Sequence, residues 1–158
     1  MKDKKERPVI VTHHEARRDY FILDVFEAGI VLVGCEVKSL RAGKASLAGS
    51  FARMEGRDIL VCNLYIAPYE MGNRANPEEP TRERRLLLHR SQIEKLKAKM
   101  QEKGLTLIPL RLYFNDHGMA KLELALAKGK NVHDKRSDIK KRSALRDIDR
   151  AIKNRNRK

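Results

Sequence analysis

The segment LTLIPLRLYFNDHGMAKLELALA, residues 105–127, shows the pattern that decides the fold. Two apolar runs flank the polar stretch 115–118, and Leu122, Leu124 and Leu126 occupy every second position of the second run. Alternation with a period of two places these leucines on one face of a strand, and Asn and Gly are typical of tight turns. The segment therefore predicts a β-hairpin with one buried face.

Two further segments have the same form. SFARMEGRDILVCNLYI, residues 50–66, predicts a hairpin that turns at residues 55–57. YFILDVFEAGIVLVGCEV, residues 20–37, predicts another that turns at residues 27–29. Each proposed turn contains a glycine, which adopts a positive φ without strain. Three hairpins in succession account for about six strands.

Helical signals are fewer. Ser91 and Glu94 form a capping-box pattern ahead of an amphipathic run that ends near Gly104, and a shorter helix is predicted over residues 39–41. The chain lacks the alternation of strands and helices that builds parallel sheets. The predicted fold is mainly β with short helices, a closed or partly closed antiparallel barrel of about six strands. The pattern alone leaves the type of barrel open.

Residues 128–158 form a strongly basic tail behind a weakly basic body. The tail holds 13 Lys and Arg against four Asp, so it carries +9 of the formal net charge of +14. Its few apolar side chains cannot offset the entropy of ordering, so we expect disorder in isolation. The i, i+3, i+7 spacing of Leu145, Ile148 and Ile152 nevertheless predicts a helix once a partner is bound. A tail that only maintains solubility is the alternative, but binding to a polyanion better explains one sign of charge.

The common catalytic and metal-binding patterns are absent from the sequence. The five histidines and two cysteines lack zinc-site spacing, and there is no phosphate-binding glycine loop, GxSxG elbow or carboxylate cluster for two-metal chemistry. We therefore expect no enzyme activity, no metal and no cofactor. The alternative is an RNA-processing enzyme that uses His13 or His14 as a general base.

The remaining composition predicts a cytoplasmic protein, expected to be a monomer, that binds structured RNA. No window reaches 18 consecutive apolar residues, no signal-peptide pattern is present, and Cys35 and Cys62 lie in apolar runs typical of reduced, buried thiols. The aromatic residues all fall in or beside predicted strands, so most are expected in the core. A single-strand binder would expose them as stacking platforms, so a structured RNA read by shape and phosphate fits better.

Five motifs, in this order, resemble the small protein B family of SsrA-binding proteins. They are FEAG (26–29), EVKSLRAGK (36–44), PTRERRLLLH (80–89), KGLTLIPLRLYF (103–114) and AKGKNVHDKR (127–136). Each motif alone is weak, but their order and spacing argue against chance. The resemblance implies an oligonucleotide-binding-fold-like barrel over residues 13–131. A flexible N-terminal arm, residues 1–12, would precede it, and a tail, residues 132–158, would be disordered until it becomes helical on the ribosome.

The resemblance also implies a function without enzyme activity. Members of the family bind the tRNA-like domain of tmRNA and deliver it to ribosomes stalled on mRNA that lacks a stop codon, the process of trans-translation. The tail would sense the empty mRNA channel and the decoding centre of 16S rRNA. A ribosomal or ribosome-assembly RNA-binding protein is the alternative, because it would share the charge and the basic extension.

The functional positions of the family map onto ten residues of this chain. Those facing tmRNA are His13, Glu27, Leu87, Lys121, Lys128 and Lys130. Those facing the ribosome are His133, Asp134, Lys135 and Arg136. The resemblance implies that His133 stacks on an rRNA base, with Lys135 and Arg136 on phosphates.

Two of these positions have a second interpretation, and two residues depart from the family pattern. Glu27 would be a turn residue before Gly29, and Leu87 would be a core residue, although Leu86, Leu87 and Leu88 cannot all face inward on one strand. His13 stands where the family has Asn, so its role stays open. Asn131 stands where a second Lys commonly follows, so one phosphate contact is expected to be lost.

Overall fold

The computed structural model describes residues 9–155, which form nine strands, four α-helices and one 3-10 turn. The strands are β1 (Val9–Thr12), β2 (Tyr20–Ile30), β3 (Ala45–Ser46), β4 (Phe51–Glu55), β5 (Asp58–Cys62), β6 (Tyr65–Ile66), β7 (Arg84–Leu87), β8 (Leu105–Phe114) and β9 (Ala120–Gly129). The helices are α1 (Ala16–Asp19), α2 (Gly34–Arg41), α3 (Arg90–Lys99) and α4 (Val132–Arg155), and the 3-10 turn spans Asn73–Ala75.

Six strands close into an antiparallel ring. Their order is β8, β4, β5, β7, β2 and β9, and β9 pairs again with β8. Alternate side chains of β2 and β9 point into the ring and are buried, namely Phe26, Ala28, Ile30, Leu122, Leu124 and Leu126. The predicted antiparallel barrel is therefore confirmed, and its core follows from the period-two pattern of the strands.

Two of the three predicted hairpins are present. β8 and β9 join around residues 115–118, and β4 and β5 join through residues 55–57. Gly118 and Gly56 have φ values of +73° and +62°, so both turns use the left-handed conformation that glycine favours. Pro109 lies next to a register shift in β8, because proline cannot donate to the ladder.

The third predicted hairpin, at residues 27–29, is wrong. β2 continues through this segment, where Gly29 lies opposite Lys121 of β9 without a positive φ. A Cβ at Gly29 would lie 3.2 Å from the Cβ of Leu87, so the absence of a side chain at Gly29 leaves room for Leu87 of β7. β2 pairs with β9 along almost its whole length, so the chain does not turn back on itself at residues 27–29. Residues 34–41, predicted to lie in the second strand of the hairpin or just after it, form α2. Cys35 accordingly lies in a helix and is only partly buried.

The predicted helix near Ser91 is present, but it begins two residues earlier than the capping box at Ser91 predicts. The N-cap is His89, whose backbone N–H donates to the Gln92 side chain at 3.2 Å. Ser91 therefore lies inside α3 and does not cap it. The short helix predicted at residues 39–41 is the end of the longer α2.

A buried ion pair joins α2 to β7. The side chains of Arg84 and Glu36 are 0% and 3% exposed, and their nearest N–O distance is 2.7 Å. Arg84 also donates, at 2.6–3.0 Å, to three main-chain carbonyls, those of Leu64, Pro80 and Arg82. Burial by itself raises the pKa of Glu36, but hydrogen bonds from Arg82, the Val33 N–H and Arg84 outweigh burial and lower this pKa.

Regular elements occupy both ends of the described range, β1 at its start and α4 at its end. Residues 9–12, assigned from the sequence to the flexible arm, form β1 and pair with β8, with Val11 opposite Leu112. The rest of the predicted arm, residues 1–8, lies outside the described residues. The basic tail is described as α4 through Arg155, and its disorder without a partner stays a prediction.

Candidate nucleic-acid interface

Three of the predicted RNA-facing residues lie together on the outer face of the barrel. Leu87 of β7 and Lys121 of β9 both pair with Gly29 of β2, so they flank it in one row across three strands. Leu86 is buried and Leu87 is 51% exposed, so Leu87 faces outward and its interpretation as a core residue is wrong. Because Gly29 has no side chain, the row forms a shallow notch between an apolar residue and a cation.

Glu27 lies in the next row of the same face. It sits two residues before Gly29 in β2 and opposite Glu123 of β9, so its interpretation as a turn residue is wrong. The Tyr113 hydroxyl donates to Glu27, and Arg111 pairs with Glu123 at 2.6 Å. The hydrogen bond that Arg111 donates to the Glu123 carboxylate raises the pKa of Arg111. These partners place both carboxylates among hydrogen-bond donors, which offsets the electrostatic cost of two neighbouring negative charges.

An apolar groove of about 380 Å³ opens beside this row. Leu32, Val37, Leu87 and Met119 contribute to its walls, with Lys121 at its edge. The groove joins an apolar surface to a cation, a combination suited to a sugar or base beside a phosphate. We call Glu27, Gly29, Leu87, Met119 and Lys121 the β7–β2–β9 face.

His13 does not share this face. The residue is 9% exposed, and its Nδ1 donates to the Pro109 carbonyl at 2.9 Å. Its backbone N–H donates to the Leu110 carbonyl at 2.7 Å, so the residue attaches the end of β1 to the register shift of β8. His13 also lines a cavity of about 500 Å³ with His14 and Arg17. Most of His13 is therefore covered, and the predicted RNA contact of this residue stays a prediction.

The comparisons with known proteins agree on one family. The family model described as SmpB protein matches residues 10–154, which is nearly the whole chain. The chain belongs to the SmpB protein family. It is 57% identical to the SsrA-binding protein of Pelotomaculum thermopropionicum, over 94% of this chain and 96% of that protein. It is 54% identical to the SsrA-binding protein of Caulobacter vibrioides, over 91% of this chain and 94% of that protein.

A solved structure supports the same assignment. A chain from "tmRNA-SmpB: a journey to the center of the bacterial ribosome" is 54% identical, with a TM-score of 0.66. The match covers 79% of this chain and 86% of that one. The resemblance inferred from the five motifs is therefore confirmed as membership of the SmpB family.

Lys128 and Lys130, near the end of the barrel, differ in their surroundings. Lys128 is exposed on β9, opposite Phe21 of β2 and about 23 Å along the strand from Lys121. The Lys130 side chain is only 7% exposed. Its ammonium donates to the Arg17 carbonyl at 3.1 Å and pairs with Asp138 of α4. In this member of the SmpB family, Lys128 is thus available to a phosphate and Lys130 is occupied within the protein.

The four predicted ribosome-facing residues lie in the first two turns of α4. His133 and Arg136 are exposed, whereas Asp134 and Lys135 are partly buried. Lys135 pairs with Asp19 of α1 at 3.2 Å. The structure therefore divides the cluster into two outward and two inward residues.

Several features of this surface were not predicted from the sequence. Phe21 was expected in the core with most other aromatic residues, but it is 44% exposed, as Phe51 and Tyr65 also are to similar extents. The period of two along β2 could not place Phe21, because a register shift between Ile22 and Asp24 interrupts that period before it reaches Phe26. Glu123, Arg111 and Tyr113 had no sequence signal of their own, since only strand pairing brings them to Glu27.

Two absences concern the described residues alone. Within residues 9–155, no group of three or more His, Cys, Asp and Glu side chains is arranged to hold a metal ion. No helix in that range is long and apolar enough to cross a membrane.

Proposed function

We propose that this chain binds the tRNA-like domain of tmRNA through the β7–β2–β9 face and Lys128, and accompanies it to the stalled ribosome in trans-translation. The observation that carries this function is the family match over residues 10–154, together with a solved relative described as tmRNA-SmpB in the ribosome. The chemistry of the face agrees with it, because the face combines a cation, an apolar notch and hydrogen-bonded carboxylates.

The tail supplies the ribosomal half of this function. Helix α4 presents His133 and Arg136 to solvent, and most of the tail's positive charge follows them along the helix. An imidazole can stack on an rRNA base, and a guanidinium can contact phosphates. We propose that α4 occupies the empty mRNA channel, with His133 at the decoding centre. The protein acts there as a cytoplasmic RNA-binding factor and not as an enzyme.

A titration of the tRNA-like domain of tmRNA tests the role of the barrel. Full-length protein and a version ending at Asn131 are compared at low and physiological salt. Similar affinities would support a barrel that recognises RNA and a tail that serves the ribosome. Loss of binding on truncation, or equal affinity for an unrelated duplex, would contradict tmRNA recognition by the barrel.

Point variants locate the contact within the barrel. Leu87→Ala removes a half-exposed side chain, so we expect binding weaker by about three- to tenfold if RNA covers it. Leu23→Ala is the matched control, because Leu23 is 55% exposed on a different part of β2. Lys121→Gln should lower the salt slope of log affinity by about one, whereas Lys97→Gln on α3 should leave it unchanged. Equal effects of target and control variants would exclude this face.

A further inference from the structure

Helix α4 meets the barrel only through its beginning, among the residues that the structure describes. Lys135 pairs with Asp19, and Asp138 pairs with Lys130. Beyond Asp138 the apolar side chains of the helix are more than half exposed, namely Ile139, Leu145, Ile148 and Ile152. The ion pair found there joins Asp147 to Arg150 of the same helix. The direction of the tail is therefore set within its first two turns.

Lys130 is the centre of this attachment. Its backbone N–H donates to the Asp19 carbonyl at 2.9 Å, and its ammonium donates to the Arg17 carbonyl at 3.1 Å. The same ammonium lies 4.8 Å from the centroid of the Phe21 ring and pairs with Asp138. Lys130 thus connects α1, β2 and α4 at once. A lysine with these partners loses them if it turns outward to a phosphate.

The helical period explains which residues face the barrel. Asp134 and Asp138 are four residues apart, and Lys135 and Asp138 are three apart, so all three lie on one side of α4. His133 and Arg136 are also three apart, on a side that is exposed. Holding the first side against the barrel therefore turns the second side outward.

We propose that Lys130, Asp138, Lys135 and Asp19 form a tail clamp that holds residues 132–138 against the barrel and aims His133 and Arg136 at rRNA. The part of this proposal that concerns rRNA rests on the proposed function above. Lys130 and Lys135 act as positioning residues and do not contact RNA directly. The mobile part of the free tail then begins after Asp138 and not at residue 132.

The charge of two carboxylates and the length of α4 support the tail clamp. Hydrogen bonding to Lys130 lowers the pKa of Asp138, and hydrogen bonds from Arg18 and then Lys135 lower that of Asp19, so both carboxylates are charged at neutral pH. A helix of 24 residues is about 36 Å long, so a 20° change at its base would move its far end by roughly 12 Å. Small changes at Lys130 thus have large effects in a narrow channel.

NMR relaxation on the free full-length protein tests the tail clamp without any RNA. Asp138→Ala removes the partner of Lys130, and Asp149→Ala, on an exposed part of the same helix, is the matched control with the same change of charge. We expect backbone amides of residues 132–138 to be as rigid as the barrel in wild type and in Asp149→Ala, and mobile in Asp138→Ala. Asp138→Glu should restore rigidity. Mobility of these amides in wild type, or unchanged rigidity in Asp138→Ala, would overturn the tail clamp.

A reconstituted tagging reaction on stalled ribosomes tests its consequence. We expect Asp138→Ala to slow tagging by about fivefold or more relative to Asp149→Ala, while both variants bind the tRNA-like domain with equal affinity. Equal tagging rates would contradict the positioning role. Failure of wild type to bind the tRNA-like domain would instead refute the proposed function and leave the NMR result to decide the clamp.

Discussion

Removing Arg84 should destabilise the barrel far more than removing an exposed arginine. Arg84→Met leaves Glu36 with only the partly exposed Arg82 as a cationic partner and removes one donor from each of three carbonyls, those of Leu64, Pro80 and Arg82. Breaking a buried pair by deleting one partner costs about 3–5 kcal/mol, because the remaining charge stays buried. That cost is a large part of the 5–15 kcal/mol expected for a whole domain, so the loss is readily measured.

Urea unfolding followed by circular dichroism measures the loss. With an m-value of about 2 kcal/mol/M, a loss near 4 kcal/mol lowers the midpoint by about 2 M. Arg53→Met is the matched control, because Arg53 pairs with Glu83 at 2.9 Å while both side chains are nearly half exposed. Solvent screens such pairs, so its midpoint should move little. Equal midpoints for the two variants would refute the assignment of Arg84 as a buried structural charge.

Three further predictions concern pH, the interface and the end of β1. Because the pKa of Glu36 is lowered on folding, its stabilising contribution is complete above the unfolded value of about 4.3 and is lost as pH falls through the folded pKa; the stability difference between wild type and Glu36→Gln should shrink over that range, and a constant difference would contradict this. Gly29→Ala places a Cβ 3.2 Å from the Leu87 Cβ and should weaken binding of the tRNA-like domain by displacing Leu87; unchanged affinity in a titration would show that RNA does not use this notch. His13→Ala removes the imidazole that donates to the Pro109 carbonyl and should lower the free energy of unfolding by about 1–3 kcal/mol; unchanged urea unfolding would contradict a structural role of this hydrogen bond.

The three predicted hairpins show what a local sequence pattern can and cannot predict. Turns at Gly118 and Gly56 were predicted correctly, because a glycine between two alternating strands is a local signal and both glycines take positive φ. Gly29 has the same local signal but a different cause, since its strand continues and the glycine makes room for Leu87. The difference depends on β9, about 90 residues away in sequence, and no local pattern contains it.

The predicted interface residues also include some that the sequence could place and some that it could not. Motif order was sufficient to identify the family and to select Glu27, Leu87 and Lys121, which the barrel does bring to one face. The sequence could not distinguish Lys128 from Lys130, because both are lysines in one short motif. Their environments differ only after folding, when Lys130 is enclosed by α1, β2 and Asp138 while Lys128 stays exposed.

The sequence by itself determined the antiparallel class of the barrel, the helix near Ser91, the basic tail and the family. These properties follow from residue type and spacing along a few turns or strand positions, which are local. Only the tertiary structure decided that β2 continues past Gly29, that Arg84 and Glu36 pair inside the protein, and that His13 and Lys130 are covered. Each of these depends on which distant segments meet, and that choice is made by closing the ring of strands around one core.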